Sequence, residues 1–187
     1  IRRSPLHDTL AAHRAVYGSR GGWERPNWFA PDGVEPVDQP SFTEPNWWPH
    51  VRAAHLAVRE GVGLIDQTSF AKFEITGPGA LAAAQWLCVA DMDKPVGTVI
   101  YTQLCNVRGG IECDLTMIRT APDSFYVVTG SAFGAHDMGW IRTNSPDDGS
   151  VIVRDLTSAR AVVNVVGPKS RDVLQSVCED DVSNEAF

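Results

Sequence analysis

A single carboxylate in a short strand–turn–strand segment is the strongest candidate for chemistry in this sequence. Residues 101–115, YTQLCNVRGGIECDL, predict one strand, a glycine turn and a second strand that carries Asp114. Cys113 and Leu115 flank Asp114, and a partly buried carboxylate in apolar surroundings is costly unless it accepts hydrogen bonds or meets a cation. A carboxylate in that environment suits proton transfer or the stabilisation of a developing iminium ion.

The alternation of the second strand leaves the environment of Asp114 open. Asp114 and Glu112 occupy alternate positions, so both side chains fall on one face, opposite Cys113 and Leu115. If that face is solvated, Asp114 is an ordinary outward-facing residue. If it is covered, Asp114 is an acid with a perturbed pKa, and the pattern alone favours neither interpretation.

No metal or nucleotide site is predicted from the other reactive residues. His50 and His55 are five residues apart, whereas paired ligands on one helical face are spaced by four. The glycine turns at 77–79 and 108–110 match neither the G-x-x-x-x-G-K nor the G-x-G-x-x-G pattern of phosphate loops. The sequence also contains no flavin-binding fingerprint.

Composition and charge predict a globular domain that binds neither nucleic acid nor a membrane. Of its 187 residues 43% are hydrophobic, and 23 acidic against 16 basic residues give a formal charge of −7. No apolar run approaches the roughly 20 residues of a membrane span, and the first residues do not form a signal-peptide pattern. The chain does not begin with Met, so we expect a piece of a longer protein.

Cysteine usage predicts the redox environment. The four cysteines lack C-x-x-C spacing, which favours reduced, mostly buried thiols over a zinc knuckle or a redox pair. We therefore expect a cytoplasmic protein, or a mitochondrial-matrix protein if the source is eukaryotic.

Residues 1–60 are predicted to form a helix, a long loop and a second helix. Apolar spacing behind Ser4 and Pro5 favours a capped helix over 6–16. Residues 21–49 contain four tryptophans without periodicity, which indicates an ordered loop held by aromatic packing. A second helix is predicted over 48–61, followed by glycines that end it.

The rest of the chain alternates strands and helices separated by glycine and proline turns. Predicted strands cover 70–76, 98–105, 111–119, 124–129, 151–156 and 161–166, and predicted helices cover 80–89, 133–143 and 169–177. A strand that ends in Gly-Pro and leads into a helix occurs at 74–87 and again at 164–174, which indicates two similar substructures. Hairpins rather than regular βαβ alternation predict the α+β class.

Short sequence words along nearly the whole chain resemble those of the folate-dependent aminomethyltransferases, the glycine cleavage T protein family. In the order in which the family has them, the words are SPLH at 4–7, GWERPNWF at 22–29, GLID at 63–66, ITGP at 75–78, YT at 101–102, Asn106 with GGI at 109–111, and FYVV at 125–128. The ERPNWF wording resembles the domains fused to dimethylglycine and sarcosine dehydrogenases and oxidases more than the free T protein.

The resemblance implies that residues 1–187 are the amino-terminal portion of a three-part fold, an incomplete domain with tetrahydrofolate in its central cavity. The catalytic acid of the family matches Asp114, close to the tenth nitrogen of the folate. The folate contacts of the family match Phe70, Tyr101, Val128 and Thr129. Phe70 and Tyr101 are equally compatible with a place in the strand core.

The implied activity is tetrahydrofolate-dependent transfer of a methylene or aminomethyl group from an N-methyl amine such as dimethylglycine or sarcosine. Two alternatives stay open: a stand-alone aminomethyltransferase or folate-dependent demethylase, and a non-catalytic folate-binding regulatory module. The resemblance also implies that FAD and any dehydrogenase chemistry reside in a preceding flavin domain, and that this chain packs against that domain and against the rest of its own fold. Further glutamate and arginine contacts to folate would lie beyond Phe187.

Overall fold

The computed structural model describes residues 1–186, which form helices and antiparallel strands in mixed order. The helices are α1 (His7–Ala12), α2 (Trp48–Glu60), α3 (Ala80–Leu87), α4 (Gly134–Thr143) and α5 (Ser170–Gln175). The strands are β1 (Ala15–Arg20), β2 (Trp23–Phe29), β3 (Gly63–Asp66), β4 (Ala71–Thr76), β5 (Val99–Cys105), β6 (Ile111–Ala121), β7 (Ser124–Thr129), β8 (Ile152–Asp155) and β9 (Val163–Val166). This content confirms the predicted α+β class.

The chain divides into two compact units. The first consists of residues 1–67 together with the segment from Ala161 onward, and the second is Thr68–Arg160. The first unit holds the hairpin of β1 and β2 and the antiparallel pair of β3 and β9. The second holds a five-stranded sheet in the order β5-β6-β7-β4-β8. The sequence segment with the candidate acid lies in the second unit.

The predicted helix over 6–16 is wrong beyond Ala12, where α1 ends. Arg14 has a φ of 63°, a left-handed backbone conformation that cannot continue a right-handed helix. The residues that follow form β1, and a two-residue turn at Gly21 and Gly22 leads into β2, so that Arg20 pairs with Trp23. Gly21 and Gly22 therefore form the turn of a hairpin.

The predicted loop over 21–49 is correct only between β2 and α2. Trp28 of β2 is 4% exposed and packs in a small core with Val16 and Ala30. Its indole nitrogen donates a hydrogen bond of 2.6 Å to the Asp38 carboxylate in the loop. Trp28 therefore ties the loop to β2, whereas Trp48, another of the four tryptophans, is 45% exposed.

The meander predicted from residues 98–129 is confirmed in the second unit. β5 pairs with β6, and β6 with β7, all antiparallel. β4, the strand predicted at 70–76, lies between β7 and β8 as the fourth strand in the sheet order. Short turns account for the order β5-β6-β7, because antiparallel neighbours need only a few residues to connect them, whereas β4 pairs with two strands that come later in the chain.

The two faces of this sheet have different surroundings. The inner face packs against α3 and α4 in one apolar core that includes Phe73, Met117, Phe125 and Val127 with Ile141 of α4. Alternation along the paired strands places the other residues on an outer face, defined by Val99, Tyr101, Gln103, Asp114, Thr116, Ile118, Tyr126 and Val128. These outer-face residues are half-buried or exposed.

The predicted repeat of a strand, Gly-Pro and a helix is confirmed. Gly77 follows β4 with a φ of 117°, and Gly167 follows β9 with a φ of 123°. A Cβ atom would lie 2.4 Å from the Ser150 carbonyl oxygen at Gly77 and 2.4 Å from the Gly61 carbonyl oxygen at Gly167. Both turns therefore need glycine for the same two reasons, a left-handed φ and a close backbone neighbour. β3, the partner of β9, was not predicted as a strand.

The cysteines and helices allow two further comparisons with the sequence predictions. All four cysteines are free; Cys88 and Cys113 are buried, Cys105 is half-buried and Cys178 is exposed. The prediction of mostly buried thiols is confirmed for Cys88 and Cys113, holds only in part for Cys105 and is wrong for Cys178. Within residues 1–186, each helix is too short or too polar to cross a membrane.

Candidate functional site

The candidate acid lies on the outer face of the five-stranded sheet. Asp114 is exposed, while its neighbours Cys113 and Leu115 are buried in the inner-face core. Of the two interpretations that the sequence left open, the structure therefore shows the outward-facing one. Asp114 is a solvent-accessible carboxylate on a half-buried sheet face, so it is not a partly buried acid in apolar surroundings.

Two outer-face side chains of β5 contact the Asp114 carboxylate. The Gln103 amide nitrogen donates a hydrogen bond of 3.2 Å to Asp114 Oδ1. Hydrogen bonding with Asp114, followed by some burial and the charge of the same carboxylate, raises the pKa of the Tyr101 phenol. The carboxylate thus has an amide donor and a phenol beside it.

A bulge in the hairpin of β5 and β6 produces this pairing. Leu104 lies opposite Cys113, but Cys105 lies opposite Ile111, so Glu112 is the extra residue on β6. Without the bulge, Gln103 would lie opposite Cys113. With it, Gln103 lies directly opposite Asp114, and both side chains share the outer face.

The next row of the outer face contains another predicted folate contact. Tyr101 lies opposite Thr116, and Thr116 lies opposite Val128 of β7. Two strand spacings separate Tyr101 from Val128, about 10 Å. Asp114, Tyr101 and Val128 therefore lie on the same face of the sheet.

Thr129 is placed differently from Val128. It is 3% exposed on the inner face, and its hydroxyl donates a hydrogen bond of 2.6 Å to Asp137 Oδ2 of α4. Its side chain therefore does not face the same surface as Asp114. Only the backbone of Thr129 remains for a contact on the outer side.

Phe70 lies immediately before β4 and is half-buried. Its position has the same parity as Lys72, which lies opposite Val128. Extending the alternation by one pair puts Phe70 on the outer-face side, at the end of the sheet nearest to Val128. Nearby, the hydroxyls of Ser69 and Ser131 lie 2.7 Å apart and join the start of β4 to the end of β7.

Lys72 lies opposite Val128, on the same side of the sheet as the outer face, and the sequence analysis did not single it out. It is 0% exposed, and its ammonium donates hydrogen bonds of 2.6 Å to the Thr68 carbonyl and 2.7 Å to the Arg160 carbonyl. These two residues are the first and last of the second unit. An alternating strand gives no signal of such a role, because lysine at an outward position is usually solvated.

On the outer face, the Asp114 carboxylate lies beside an aromatic side chain, Tyr101, and an apolar side chain, Val128, lies in the row of Tyr101. Such a surface can accept a proton from an amine or stabilise a positive charge that develops next to it. The flat, partly apolar surroundings of Tyr101 and Val128 suit an aromatic ligand. A phosphate-bearing ligand is not favoured, since the carboxylate is the charged group at the centre of the site.

Comparison with known proteins assigns the sequence to a group. Residues 6–187 match the family described as the GCVT N-terminal domain. The chain is 39% identical over 186 residues to 4-methylaminobutanoate oxidase (formaldehyde-forming) of Paenarthrobacter nicotinovorans. It is 33% identical over 225 residues to the mitochondrial sarcosine dehydrogenase of Homo sapiens, and 33% identical over 192 residues to the mitochondrial pyruvate dehydrogenase phosphatase regulatory subunit of Mus musculus.

The chain corresponds to only a part of these relatives. Each alignment covers 100% of the chain but 22% to 24% of the relative. Among solved structures, the aminomethyltransferase T of the glycine cleavage system from Bartonella henselae matches 94% of this chain and 43% of its own, with a TM-score of 0.77 and 22% identity. The predicted fold, an amino-terminal portion of the aminomethyltransferase fold, is thereby confirmed.

Proposed function

The chain belongs to the GCVT N-terminal domain family, and from that membership we propose that it is the tetrahydrofolate-dependent one-carbon transfer domain of a dimethylglycine- or sarcosine-type oxidoreductase. The observation that carries the proposal is the position of Asp114 on the outer face, beside Tyr101 and Gln103. The match to proteins named as sarcosine dehydrogenase and 4-methylaminobutanoate oxidase supports an N-methyl amine as the source of the carbon.

The outer-face residues fit a reduced folate. When bound, tetrahydrofolate supplies the amines that accept a carbon unit at the oxidation level of formaldehyde. Tyr101, Val128 and Phe70 would contact the aromatic parts of the ligand through an apolar and aromatic surface. The Thr129 hydroxyl is engaged with Asp137, so Thr129 would take part through its backbone.

Asp114 is the catalytic group in this proposal. It would accept the proton that an attacking amine loses, and its negative charge would stabilise a cationic carbon centre. Gln103 and Tyr101 would orient the carboxylate, because each interacts with it. A preformed acceptor needs no rearrangement when charge develops beside it.

The rest of the enzyme lies outside this chain in the proposal. Since the chain corresponds to about a quarter of its curated relatives, a flavin domain and the remaining part of the folate cavity would be separate segments of the full protein. FAD would belong to the flavin domain. Relatives are found both in a bacterium and in mitochondria, which supports the cytoplasm or the mitochondrial matrix as the location.

Two other functions remain as alternatives. A stand-alone aminomethyltransferase or folate-dependent demethylase would use the same surface with another methyl donor. A non-catalytic regulatory module is favoured by one observation, the 33% identity to a phosphatase regulatory subunit. The presence of a carboxylate with oriented donors at position 114 supports the enzymatic proposal over the regulatory one.

Methylenetetrahydrofolate formation by the longest polypeptide that contains this chain tests the proposal. We expect Asp114→Asn to lower the rate about 10²–10⁴-fold, the usual contribution of a general base. Asp147→Asn, a change of an exposed carboxylate in the turn after α4, is the matched control and should leave the rate unchanged. If the protein binds tetrahydrofolate but makes no product, the regulatory alternative replaces the enzymatic one. If it ignores folate altogether, only the fold is shared with the family.

A further inference from the structure

Three side chains with metal-ligating atoms converge on the inner side of the sheet, apart from the outer-face site. Cys113, His136 and Asp137 each offer one ligand atom, and these atoms all lie within 4.8 Å of one another. Cys113 is 2% and Asp137 1% exposed, whereas the His136 ring is about half exposed. One sulfur, one nitrogen and one oxygen donor therefore share a mostly buried position with an opening at the histidine.

The fold brings these residues together from two distant segments. Cys113 points inward from β6, and His136 and Asp137 are in the first turn of α4. Met138 and Ile141 of the same helix belong to the inner-face core, which fixes α4 against the sheet. Cys113 and His136 are 23 residues apart, so spacing in the sequence gives no sign of the cluster, and none was predicted.

His136 and Asp137, the two polar ligand candidates, contact each other and further polar groups. Asp137 Oδ1 lies 3.0 Å from His136 Nδ1, and Asp137 Oδ2 accepts the hydrogen bond from Thr129. On the other side of the ring, His136 Nε2 lies 3.6 Å from Glu112 Oε2. Metal-bound histidines usually donate their second ring nitrogen to a carboxylate, and Glu112 is the carboxylate on that side of the His136 ring, at ion-pair distance.

The charged groups around the cluster are acidic. Asp137 is one of the three candidate ligands, and the Glu112 carboxylate lies 3.6 Å from the far ring nitrogen of His136. A divalent cation bound there would take the place of the thiol and imidazole protons and would stabilise the thiolate.

We propose that Cys113, His136 and Asp137 form a binding site for a divalent transition cation of the zinc type. Thiolate, imidazole and carboxylate together select zinc and its chemical neighbours over magnesium or calcium, which prefer oxygen ligands alone. Three protein ligands leave a fourth tetrahedral position for water. Bound there, the ion would join β6 to α4 and, through Thr129, to β7.

The position of the site suggests what the ion would do. Cys113 directly precedes Asp114 in β6, and the two side chains lie on opposite faces of the strand. A ligand bond at Cys113 would hold the backbone at Asp114 without contact with anything bound on the outer face. The proposal stands on these inner-face contacts and does not depend on the function proposed above.

Titration of the chain with Co²⁺ after treatment with a chelator tests the site, since Co²⁺ reports thiolate ligation by a charge-transfer absorption band. We expect one Co²⁺ per chain, the band on binding, and its loss when Zn²⁺ is added. Binding should strengthen as the pH rises, because each bound ion displaces protons from the thiol and the imidazole. If Co²⁺ produces no charge-transfer band, or if the band does not require a thiolate, the proposal is wrong.

Variants assign the band to the proposed ligands. Cys113→Ala should abolish it, and Cys178→Ala, which changes an exposed cysteine outside the cluster, should keep it. Glu112→Gln, at the second ring nitrogen of His136, should weaken Co²⁺ binding about 10–100-fold, as outer-shell changes usually do.

Since Cys113 is buried and its change can unfold the domain, His136→Ala provides the independent test. His136 is half exposed, so the variant is expected to fold, which circular dichroism checks. We expect at least a tenfold loss of Co²⁺ affinity. If His136→Ala binds Co²⁺ as tightly as the parent, or if the band follows Cys178 instead of Cys113, the cluster is an ordinary hydrogen-bonded network and the proposal is wrong.

Discussion

The two faces of the five-stranded sheet are built from the same strands, but the inner face forms a core and the outer face is the candidate binding surface. Val127 and Val128 are neighbours in β7, yet Val127 is 0% exposed within the helix-covered core, whereas Val128 is half-buried on the outer face. The same alternation separates Leu115 from Asp114. Strand pleating therefore places a stabilising core and a candidate binding surface one residue apart.

Substitutions on the two faces are expected to affect the stability of the protein differently. The inner face is packed by apolar side chains of α3 and α4, so a change there alters core volume. The outer face carries aromatic, amide and carboxylate groups that are partly open to solvent, such as Tyr101, Gln103 and Asp114. Substitutions on the outer face are expected to change binding more than stability.

The largest expected effect comes from truncation on the inner face. Phe125 is 0% exposed, and Phe125→Ala should lower the free energy of unfolding by about 3–5 kcal/mol, through lost apolar burial and a cavity. Val99→Ala on the outer face, where the side chain is 63% exposed, should change it by less than about 0.5 kcal/mol. Urea unfolding of both variants measures the difference, and equal losses would remove the distinction between the faces.

Lys72 is an exception to the difference between the two faces, because it lies on the outer side of the sheet but is fully buried. Lys72→Met keeps the apolar stem and removes the ammonium that binds the Thr68 and Arg160 carbonyls. We expect a loss of about 1–3 kcal/mol of unfolding free energy, the cost of leaving buried acceptors without a donor.

The matched control for that change is Lys94→Met. Lys94 is a half-exposed lysine whose ammonium pairs with Asp91, and exposed pairs contribute about 0–1 kcal/mol. Chemical denaturation of the two variants compares them directly. If Lys72→Met is as mild as Lys94→Met, the buried ammonium has no structural role.

The smallest expected effect is electrostatic and reports the site itself. Because hydrogen bonding and repulsion from the Asp114 carboxylate hold the pKa of Tyr101 above its usual value, Asp114→Asn should let the phenolate form at a lower pH. Ultraviolet titration of the tyrosines follows this change, with Tyr101→Phe to identify the signal. Glu112→Gln, the neighbouring acid on β6, should leave the titration of Tyr101 where it was. An unchanged Tyr101 titration in Asp114→Asn would contradict the contact between the two residues.

Much of the fold follows from sequence periodicity. The strands of the second unit alternate clearly between apolar and polar residues, and Gly77 marks the turn into α3, so local patterns suffice. The helix predicted over 6–16 is wrong beyond Ala12, because the sequence around Val16 fits a helix and a strand equally well. Its outcome depends on pairing with β2, a contact that no local pattern contains.

The candidate site was predictable only in part. Asp114 and Tyr101 stand out by resemblance, but the partner Gln103 depends on a one-residue bulge at Glu112. Turn sequence alone would pair Gln103 with Cys113. The inner-side placement of Thr129 follows from the same alternation that puts Val128 outside, and it could have been read from the strand parity at 124–129.

The most direct test of the central claim, that the outer face binds a reduced folate, is a methyl NMR titration of the polypeptide that contains this chain with tetrahydrofolate. Val127 and Val128 serve as paired probes on opposite faces of one strand. We predict that the Val128 methyl signals shift, that those of Val127 stay nearly constant, and that Asp114→Asn weakens the response. Equal shifts at both valines, or no shift at either, would contradict the assignment of folate binding to this face.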